Sequence, residues 1–261
     1  MEAKTVSGGG NYGRRSKLNA ADAGVRRVAS TYGKVQFLTY SSKSIGSVAV
    51  ESDTERLVAH MLTLDPGVSR FQTQPFTVDL IDGRLLKTPE AVTEARAKHR
   101  FRLGPKFYTP DFAVDWLNLP RSALEVKLER YVGDETYASV LGRGADILES
   151  NGYRFTKVVM PANPKHPLRS NLPLLRKAAS RGDLWPDAAL VERIEALCGE
   201  RPVTLKDLCA ALALSPNLVP ALLVSGTLCG NLVRQRLEGV MELRAAYGDL
   251  GHLALLDEVS V

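Results

Sequence analysis

Cysteine is scarce in this sequence, and long apolar runs are missing. The three cysteines, Cys198, Cys209 and Cys229, form no Cys-x-x-Cys pair and lie at zinc-ligand spacing from no histidine. This pattern disfavours a zinc site or a cysteine nucleophile, and we expect small buried side chains instead. No apolar run approaches the roughly 20 residues that span a bilayer. We therefore expect a cytoplasmic protein without a membrane partner.

The charge is distributed unevenly along the chain. Residues 1–184 contain 28 Lys and Arg against 19 Asp and Glu, whereas residues 185–261 contain 6 against 10. A basic region suits a polyanionic partner such as double-stranded DNA, because neutralised phosphates release condensed counterions. The acidic C-terminal part indicates a role other than simple adhesion to DNA.

The Gly-rich, basic residues 1–49 predict an arm followed by a short strand. The cations Arg14, Arg15 and Lys17 either bind DNA phosphates or belong to a solvated tail. Lys106 is a further candidate for DNA binding. These four assignments rest on charge alone.

Residues 50–165 have the pattern of an α/β domain with a mixed sheet. Ser52 followed by Glu55 has capping-box spacing and opens a helix. The turn Asp82-Gly83 favours a hairpin between two strand-like segments. The predicted elements are a helix over 52–64, strands over 70–80, 84–88, 107–116 and 123–128, a helix over 135–150 and a strand over 153–160.

The remainder of the chain predicts a linker and a second domain. Several prolines lie between Pro161 and Pro173, and we place the linker at residues 166–184. Thr204 and Ser215 then open short helices within residues 185–261. Two short helices with a tight connection, followed by a small wing, predict a helical winged-helix-like domain.

The most informative pattern is Pro110-Asp111 followed by Glu125-Val126-Lys127. Side chains alternate along a strand, so Glu125 and Lys127 share the face opposite to Val126. A short turn between two strands can bring Asp111 beside Glu125. Two carboxylates and one ammonium would then converge, although an ordinary salt bridge between neighbouring strands would use the same residues.

This set of residues suits metal-dependent phosphodiester hydrolysis. Mg²⁺ prefers oxygen ligands, which Asp111, Glu125 and the Val126 carbonyl supply, and Mn²⁺ is expected to substitute. Such a metal polarises a phosphate and lowers the pKa of a bound water. Lys127 would orient that water or stabilise the charge of the transition state.

Glu55 is the fourth candidate for the catalytic and metal site. On the predicted helix it shares a face with Val58 and Leu62, and therefore points into the domain. The alternative interpretation is that Glu55 only completes the capping box of Ser52. Glu51, which lies before the helix, competes with Glu55 for the role.

The joint order of these motifs resembles the PD-(D/E)xK nuclease superfamily, and more narrowly the TnsA family of transposon endonucleases. The likeness covers residues 50–180 and extends loosely to the C-terminal region. It rests on Ser52-Asp53-Thr54-Glu55-Arg56, Leu64-Asp65-Pro66-Gly67-Val68, Gln74-Pro75, Tyr108-Thr109-Pro110-Asp111-Phe112 and Leu172-Pro173-Leu174-Leu175.

This resemblance implies a restriction-endonuclease-like core and a Mg²⁺-dependent endonuclease subunit of a heteromeric transposase. Such subunits hydrolyse the non-transferred strand at the 5′ ends of the transposon, beside the DDE-type transposase TnsB and the ATPase TnsC, which the C-terminal domain contacts. The family's catalytic positions fall on Glu55, Asp111, Glu125 and Lys127. Some members carry Gln where this chain has Glu125, so this chain is closer to the general nuclease pattern.

Two other functions remain open at this point. A stand-alone restriction or junction-resolving nuclease on the same core would cut DNA without partners. A non-catalytic DNA-binding adaptor would read DNA through its winged helix, and its carboxylates would be structural. The acidic C-terminal part counts against the adaptor, because recognition helices are usually basic.

Overall fold

The computed structural model describes residues 37–45, 48–131 and 133–261, so Arg14, Arg15 and Lys17 lie outside the described residues. The strands are β1 Phe37–Thr39, β2 Val48–Val50, β3 Val68–Thr73, β4 Thr77–Asp79, β5 Arg84–Leu86, β6 Phe107–Tyr108, β7 Phe112–Trp116, β8 Ser122–Leu128, β9 Arg154–Met160, β10 Val203–Thr204, β11 Leu228–Cys229 and β12 Glu242–Ala245. The helices are α1 Asp53–Leu64, α2 Pro89–Lys98, α3 Glu135–Ser150, α4 Pro167–Ala179, α5 Ala188–Cys198, α6 Leu205–Leu212 and α7 Val219–Val224.

The central sheet has the strand order β3-β7-β8-β9. Its first three strands are antiparallel, and β8 pairs with β9 in parallel, which confirms the predicted mixed sheet. Alternation along β8 separates two cores. Leu124 and Val126 pack into the cluster that holds α1 and α4, whereas Ala123 packs with Leu148 of α3 on the opposite face.

The segment 70–80, predicted as one strand, is divided between two sheets. β3 lies in the central sheet, and β4 pairs with β5 and β6 in a second, three-stranded sheet. The break falls at Gln74, whose φ is +44°, and at Pro75, which has no N–H to donate. The predicted hairpin turn at Asp82-Gly83 is present between β4 and β5, with Gly83 at φ +66°.

The predicted linker at residues 166–184 is wrong as a description of structure, because most of it is helix α4. Pro167 occupies the first turn, where its missing N–H costs nothing. Leu168, Leu172 and Leu175 are fully buried and belong to the main core. The prolines indicated a linker, but the leucine spacing of three and four residues determines the helix.

The C-terminal part consists of α5, α6, α7 and an antiparallel sheet with the order β10-β12-β11. All six residues of α7 are buried. Asn171 of α4 donates to the carbonyls of Leu232 and Gln235 at 2.9 and 2.8 Å, and accepts from the Leu237 N–H at 3.0 Å. The loop between β11 and β12 is therefore fastened to α4, and one core runs through both parts of the chain.

Within the described part of the chain, no single helix has the length and apolar composition to cross a membrane, although the bent pair Leu205–Leu212 and Pro216–Val224 passes that test jointly. Cys198 and Cys209 are buried, and Cys229 is half-buried. Burial raises the pKa of each of these thiols. The burial of Cys198 and Cys209 confirms the expectation of small buried side chains, which Cys229 meets only in part.

Candidate active site

The ends of β7 and β8 bring Asp111 beside Glu125. β7 pairs with β8 so that Phe112 faces Leu124, and the Asp111 N–H donates to the Leu124 carbonyl at 2.9 Å. The Asp111 Oδ2 accepts a hydrogen bond of 2.7 Å from the Val126 N–H. The structure thus places the predicted residues in the arrangement that the spacing indicated, and it fixes the Asp111 carboxylate against the backbone of β8.

Glu125 is buried, and both of its carboxylate oxygens have donors. Lys127 Nζ lies 2.7 Å from Oε1, which also accepts from the Tyr137 hydroxyl at 2.8 Å. The Tyr108 hydroxyl donates to Oε2 at 2.8 Å. Burial and the charge of Glu125 raise the pKa of both tyrosines. Both hydroxyls therefore stay protonated and hold the carboxylate in place.

Lys127 lies between two aromatic rings. Its Nζ is 5.1 Å from the centre of the Tyr131 ring and 5.2 Å from that of Tyr137, within cation–π range. Burial opposes the charge of the ammonium, but the hydrogen bond and charge of Glu125 outweigh it and raise the pKa of Lys127. Lys127 therefore acts as a positive charge at neutral pH and not as a base.

The pKa of Asp111 is raised well above the ordinary aspartate value. Burial is the largest cause, followed by the negative charges of Glu125 and Glu55. Three carboxylates thus face a single ammonium, that of Lys127. A divalent cation relieves such repulsion, and carboxylates are the ligands that Mg²⁺ prefers. The donor set therefore fits a Mg²⁺ or Mn²⁺ ion.

Glu55 both caps α1 and belongs to this electrostatic cluster. Its N–H donates to Ser52 Oγ at 3.1 Å, and the Ser52 hydroxyl donates to Glu55 Oε1 at 2.7 Å. The Glu51 N–H donates to Oε2 at 2.9 Å. Burial raises the pKa of Glu55, and the charge of Lys127 counteracts this. Glu55 therefore completes the capping box of α1 and is also electrostatically coupled to the acidic cluster.

One residue near the cluster, Gln74, gave no functional signal in the sequence pattern. Gln74 is 6% exposed, and its N–H donates to the Asp111 carbonyl at 2.9 Å. Its Nε2 lies 3.4 Å from Oε1 of Glu51, the competitor of Glu55. Gln74 appeared only as part of a family motif, because its place in the site depends on its backbone conformation.

A separate group, Asp79, Asp82 and His99, brings three potential metal ligands within 4.8 Å of one another. The sequence pattern did not indicate this group, because His99, at the end of α2, meets the β4–β5 hairpin only in the folded chain. Lys98 Nζ already lies 2.6 Å from Asp82 Oδ2, and Arg84 Nε lies 3.8 Å from Asp79 Oδ2. Since Arg84 and Lys98 neutralise the two carboxylates, we interpret the group as a set of ion pairs and hydrogen bonds that joins the β4–β5 hairpin to the end of α2.

Lys106, the remaining predicted contact, is half-buried. Its Nζ donates to the Arg100 carbonyl at 3.2 Å, and its own carbonyl accepts from the Leu80 N–H at 2.9 Å. Lys106 therefore fixes the base of an exposed loop.

No protein-family model matches this chain, and no curated protein is significantly similar to it. Its function must be argued from the site itself.

Proposed function

We propose that this chain is a metal-dependent DNA endonuclease. The observation that carries the proposal is the ion pair of the buried Glu125 with Lys127, with Asp111 fixed to the neighbouring backbone of Val126 and the carboxylate of Glu125 held by two tyrosine hydroxyls. Titratable groups perturbed by burial and by one another are typical of catalytic sites. An ordinary surface salt bridge would need neither the burial nor the two tyrosine hydroxyls.

Each residue has a defined role in the proposed hydrolysis. Asp111, Glu125 and the Val126 carbonyl would hold the cation, with Glu55 approaching from α1. When bound, Mg²⁺ would polarise the scissile phosphate and lower the pKa of the attacking water. Lys127 places a fixed positive charge where negative charge develops on the phosphate.

The fold supports a restriction-endonuclease-like core within this proposal. The order α1, β3, β7, β8, α3, β9 is a helix, three antiparallel strands, a helix and a parallel strand. The carboxylates lie where β7 begins and along β8. Fold alone does not define chemistry, so this argument is secondary to the site.

We further assign the chain to transposition, as the nuclease that cuts the non-transferred strand at the 5′ ends of a transposon. Support comes from the TnsA-like motifs, several of which form the ends of α1 in this fold. Ser52 and Glu55 form the cap of α1, and Asp65 ends that helix. The partners would be a TnsB-like DDE transposase and a TnsC-like ATPase.

The C-terminal part favours a protein-facing role over DNA reading. The order of α5, β10, α6, α7, β11 and β12 suits a winged-helix-like unit, in which α7 would be the recognition helix. All of α7 is buried, however, and it packs against α4. An adaptor that reads DNA through this helix is therefore disfavoured.

An exposed basic loop that lies against the first turns of α3 supports DNA as substrate. Arg100 and Arg102 are exposed and form no ion pair within the described residues, and Phe101 and Leu103 between and beside them are 90% and 98% exposed. Leu103 lines the same pocket as Thr136, the neighbour of Tyr137. Cations that bind phosphates, with apolar side chains that enter a groove, are typical of DNA contacts.

The test is an excision assay with a plasmid that carries the transposon ends, purified partner proteins and Mg²⁺. Wild-type chain should give 5′-end cuts, and Asp111→Ala should give none. Equal cutting by both proteins would make the carboxylates structural and return the adaptor to consideration. Efficient cutting by the wild-type chain without partners would instead favour the stand-alone nuclease.

A further inference from the structure

Gln74 has a backbone conformation that its side chain does not favour. It lies between β3 and β4 with φ at +44°, in the left-handed region where residues with a Cβ are uncommon. Its N–H donates to the Asp111 carbonyl at 2.9 Å. The backbone of Gln74 is therefore strained at the point where it contacts the backbone of Asp111. Strained residues cluster at functional sites.

The side chain of Gln74 has one satisfied end and one unsatisfied end. Nε2 lies 3.4 Å from Glu51 Oε1, which orients the amide. Oε1 is buried and has no hydrogen-bond partner among the described residues. A buried amide oxygen without a partner is unfavourable, and it calls for a donor or a cation that the described part of the chain does not supply.

The chemistry of an amide oxygen limits the kinds of partner that Gln74 Oε1 can bind. An amide carbonyl only accepts, so it cannot bind a phosphate oxygen directly, but it can bind a cation or a water held by a cation. The surroundings are acidic, because several carboxylates lie near one another. The N–H of Glu51 donates to the carboxylate of Glu55, and the negative charge of Glu55 raises the pKa of Asp111. A neutral oxygen there adds a ligand without adding further negative charge.

We propose that Gln74 belongs to the metal site and that its Oε1 binds the divalent cation or one of the waters on it. Nε2 keeps the amide oriented through Glu51, and the Gln74 N–H holds the backbone of this residue against that of Asp111. This inference rests on the proposed function, since it adds a residue to the same metal site.

The test measures Mn²⁺ binding to the full chain by calorimetry, without DNA. Gln74→Gly removes the amide and relieves the strain, because glycine adopts positive φ freely. We expect this variant to unfold at the same or a higher temperature than wild type and to bind Mn²⁺ at least five-fold more weakly. Ala213→Gly is the matched control, because Ala213 also has a positive φ, +52°, but caps α6. It should gain stability and keep its Mn²⁺ affinity.

Gln74→Glu separates the two ends of the side chain. It keeps an oxygen at the position of Oε1 but loses the contact from Nε2 to Glu51. Mn²⁺ affinity equal to or above that of wild type supports the proposal, whereas a loss as large as in Gln74→Gly would show that Gln74 only positions Glu51, and would overturn it. Unchanged Mn²⁺ affinity in Gln74→Gly would overturn it as well.

Asp111→Asn distinguishes failure of this inference from failure of the proposed function. If Mn²⁺ binding depends on Asp111 but not on Gln74, only the inference fails. If binding depends on both residues and no DNA is cut under any condition, only the nuclease function fails. Absence of Mn²⁺ binding by the wild-type chain would overturn both.

Discussion

At the scale of single residues, Asp111 combines a functional charge with a cost to stability. Burial, together with Glu125 and Glu55, raises its pKa, so the folded protein holds this proton more tightly than the unfolded chain. Stability therefore decreases as the pH rises from the ordinary aspartate pKa of 3.8 towards the raised value, and the penalty is complete above it.

We predict that Asp111→Asn stabilises the metal-free protein at neutral pH while it abolishes cutting. Relief of about 1 kcal/mol corresponds to about 2–4 °C in the melting temperature of a chain of this size. Thermal unfolding with and without Mg²⁺ measures this. The gain should shrink as the pH falls through 3.8, because below that pH the proton is bound in both states. Mg²⁺ at neutral pH should stabilise wild type but not the variant. A variant less stable than wild type at every pH would contradict the prediction.

The sequence located the acidic centre of the site but not the residues that hold it. Asp111, Glu125 and Lys127 could be found because strand alternation and one short turn place them together. Tyr108 and Tyr137 could not be found, because they reach Glu125 from β6 and from α3 through tertiary packing.

At the scale of elements, α3 must approach β6 closely enough for Tyr108 to reach Glu125. A Cβ on Gly144 would lie 2.8 Å from Tyr108 Cδ1, closer than such atoms pack. Gly142, two residues earlier in the same helix, has no neighbour within 4 Å of a Cβ. The first glycine therefore belongs to the site, whereas the second is only a weak point of the helix.

We predict opposite effects for alanine at these two glycines. Gly144→Ala should destabilise the protein by about 1–3 kcal/mol through overpacking and should lower cutting by displacing Tyr108. Gly142→Ala should stabilise it by about 0.5–1 kcal/mol through better helix propensity, with unchanged cutting. Urea unfolding and the excision assay together check this. Equal behaviour of the two variants would show that the contact with Tyr108 is unimportant.

We predict that the loop with Arg100 and Arg102 contributes two phosphate contacts to DNA binding. The double variant Arg100→Gln/Arg102→Gln should reduce the slope of log affinity against log salt by about 1.8. Arg193→Gln/Arg201→Gln makes the same change in net charge at exposed positions of the acidic C-terminal part, and should leave the slope unchanged. Binding of a fluorescent duplex, measured without divalent metal, tests this. If both double variants reduce the slope equally, general charge rather than the loop governs binding.

Whether a segment is a helix or a strand was easier to predict from the sequence than where that element breaks or continues. The capping signal of Ser52 marked the start of α1 correctly, because it acts locally. The break between β3 and β4 depends on the left-handed Gln74, and α4 depends on leucines that find partners in α1 and α7. The left-handed conformation of Gln74 cannot be inferred from neighbouring residues, whereas the leucine spacing of α4 was a local signal that the prolines obscured.

At the scale of the whole molecule, the α/β core and the C-terminal part pack together through one hydrophobic core. α4 contacts α1 on one side and α7 on the other, and Asn171 fastens the loop that would be the wing. In this arrangement the helix that would read base edges is occupied by internal packing. The C-terminal part therefore extends the core.

We predict that cutting at a defined position requires a partner that recognises the DNA sequence. The exposed loop at Arg100 and Arg102 offers phosphate contacts, which position DNA but carry no sequence information. Since α7 is buried, specificity has to come from a DNA-binding transposase that delivers its end to Asp111 and Glu125. The purified chain with Mg²⁺ should give at most weak cuts without sequence preference, and added partner should concentrate them at the transposon ends. Robust nicking at one sequence by the chain alone would contradict this, because it would require a reading element that the buried α7 does not provide.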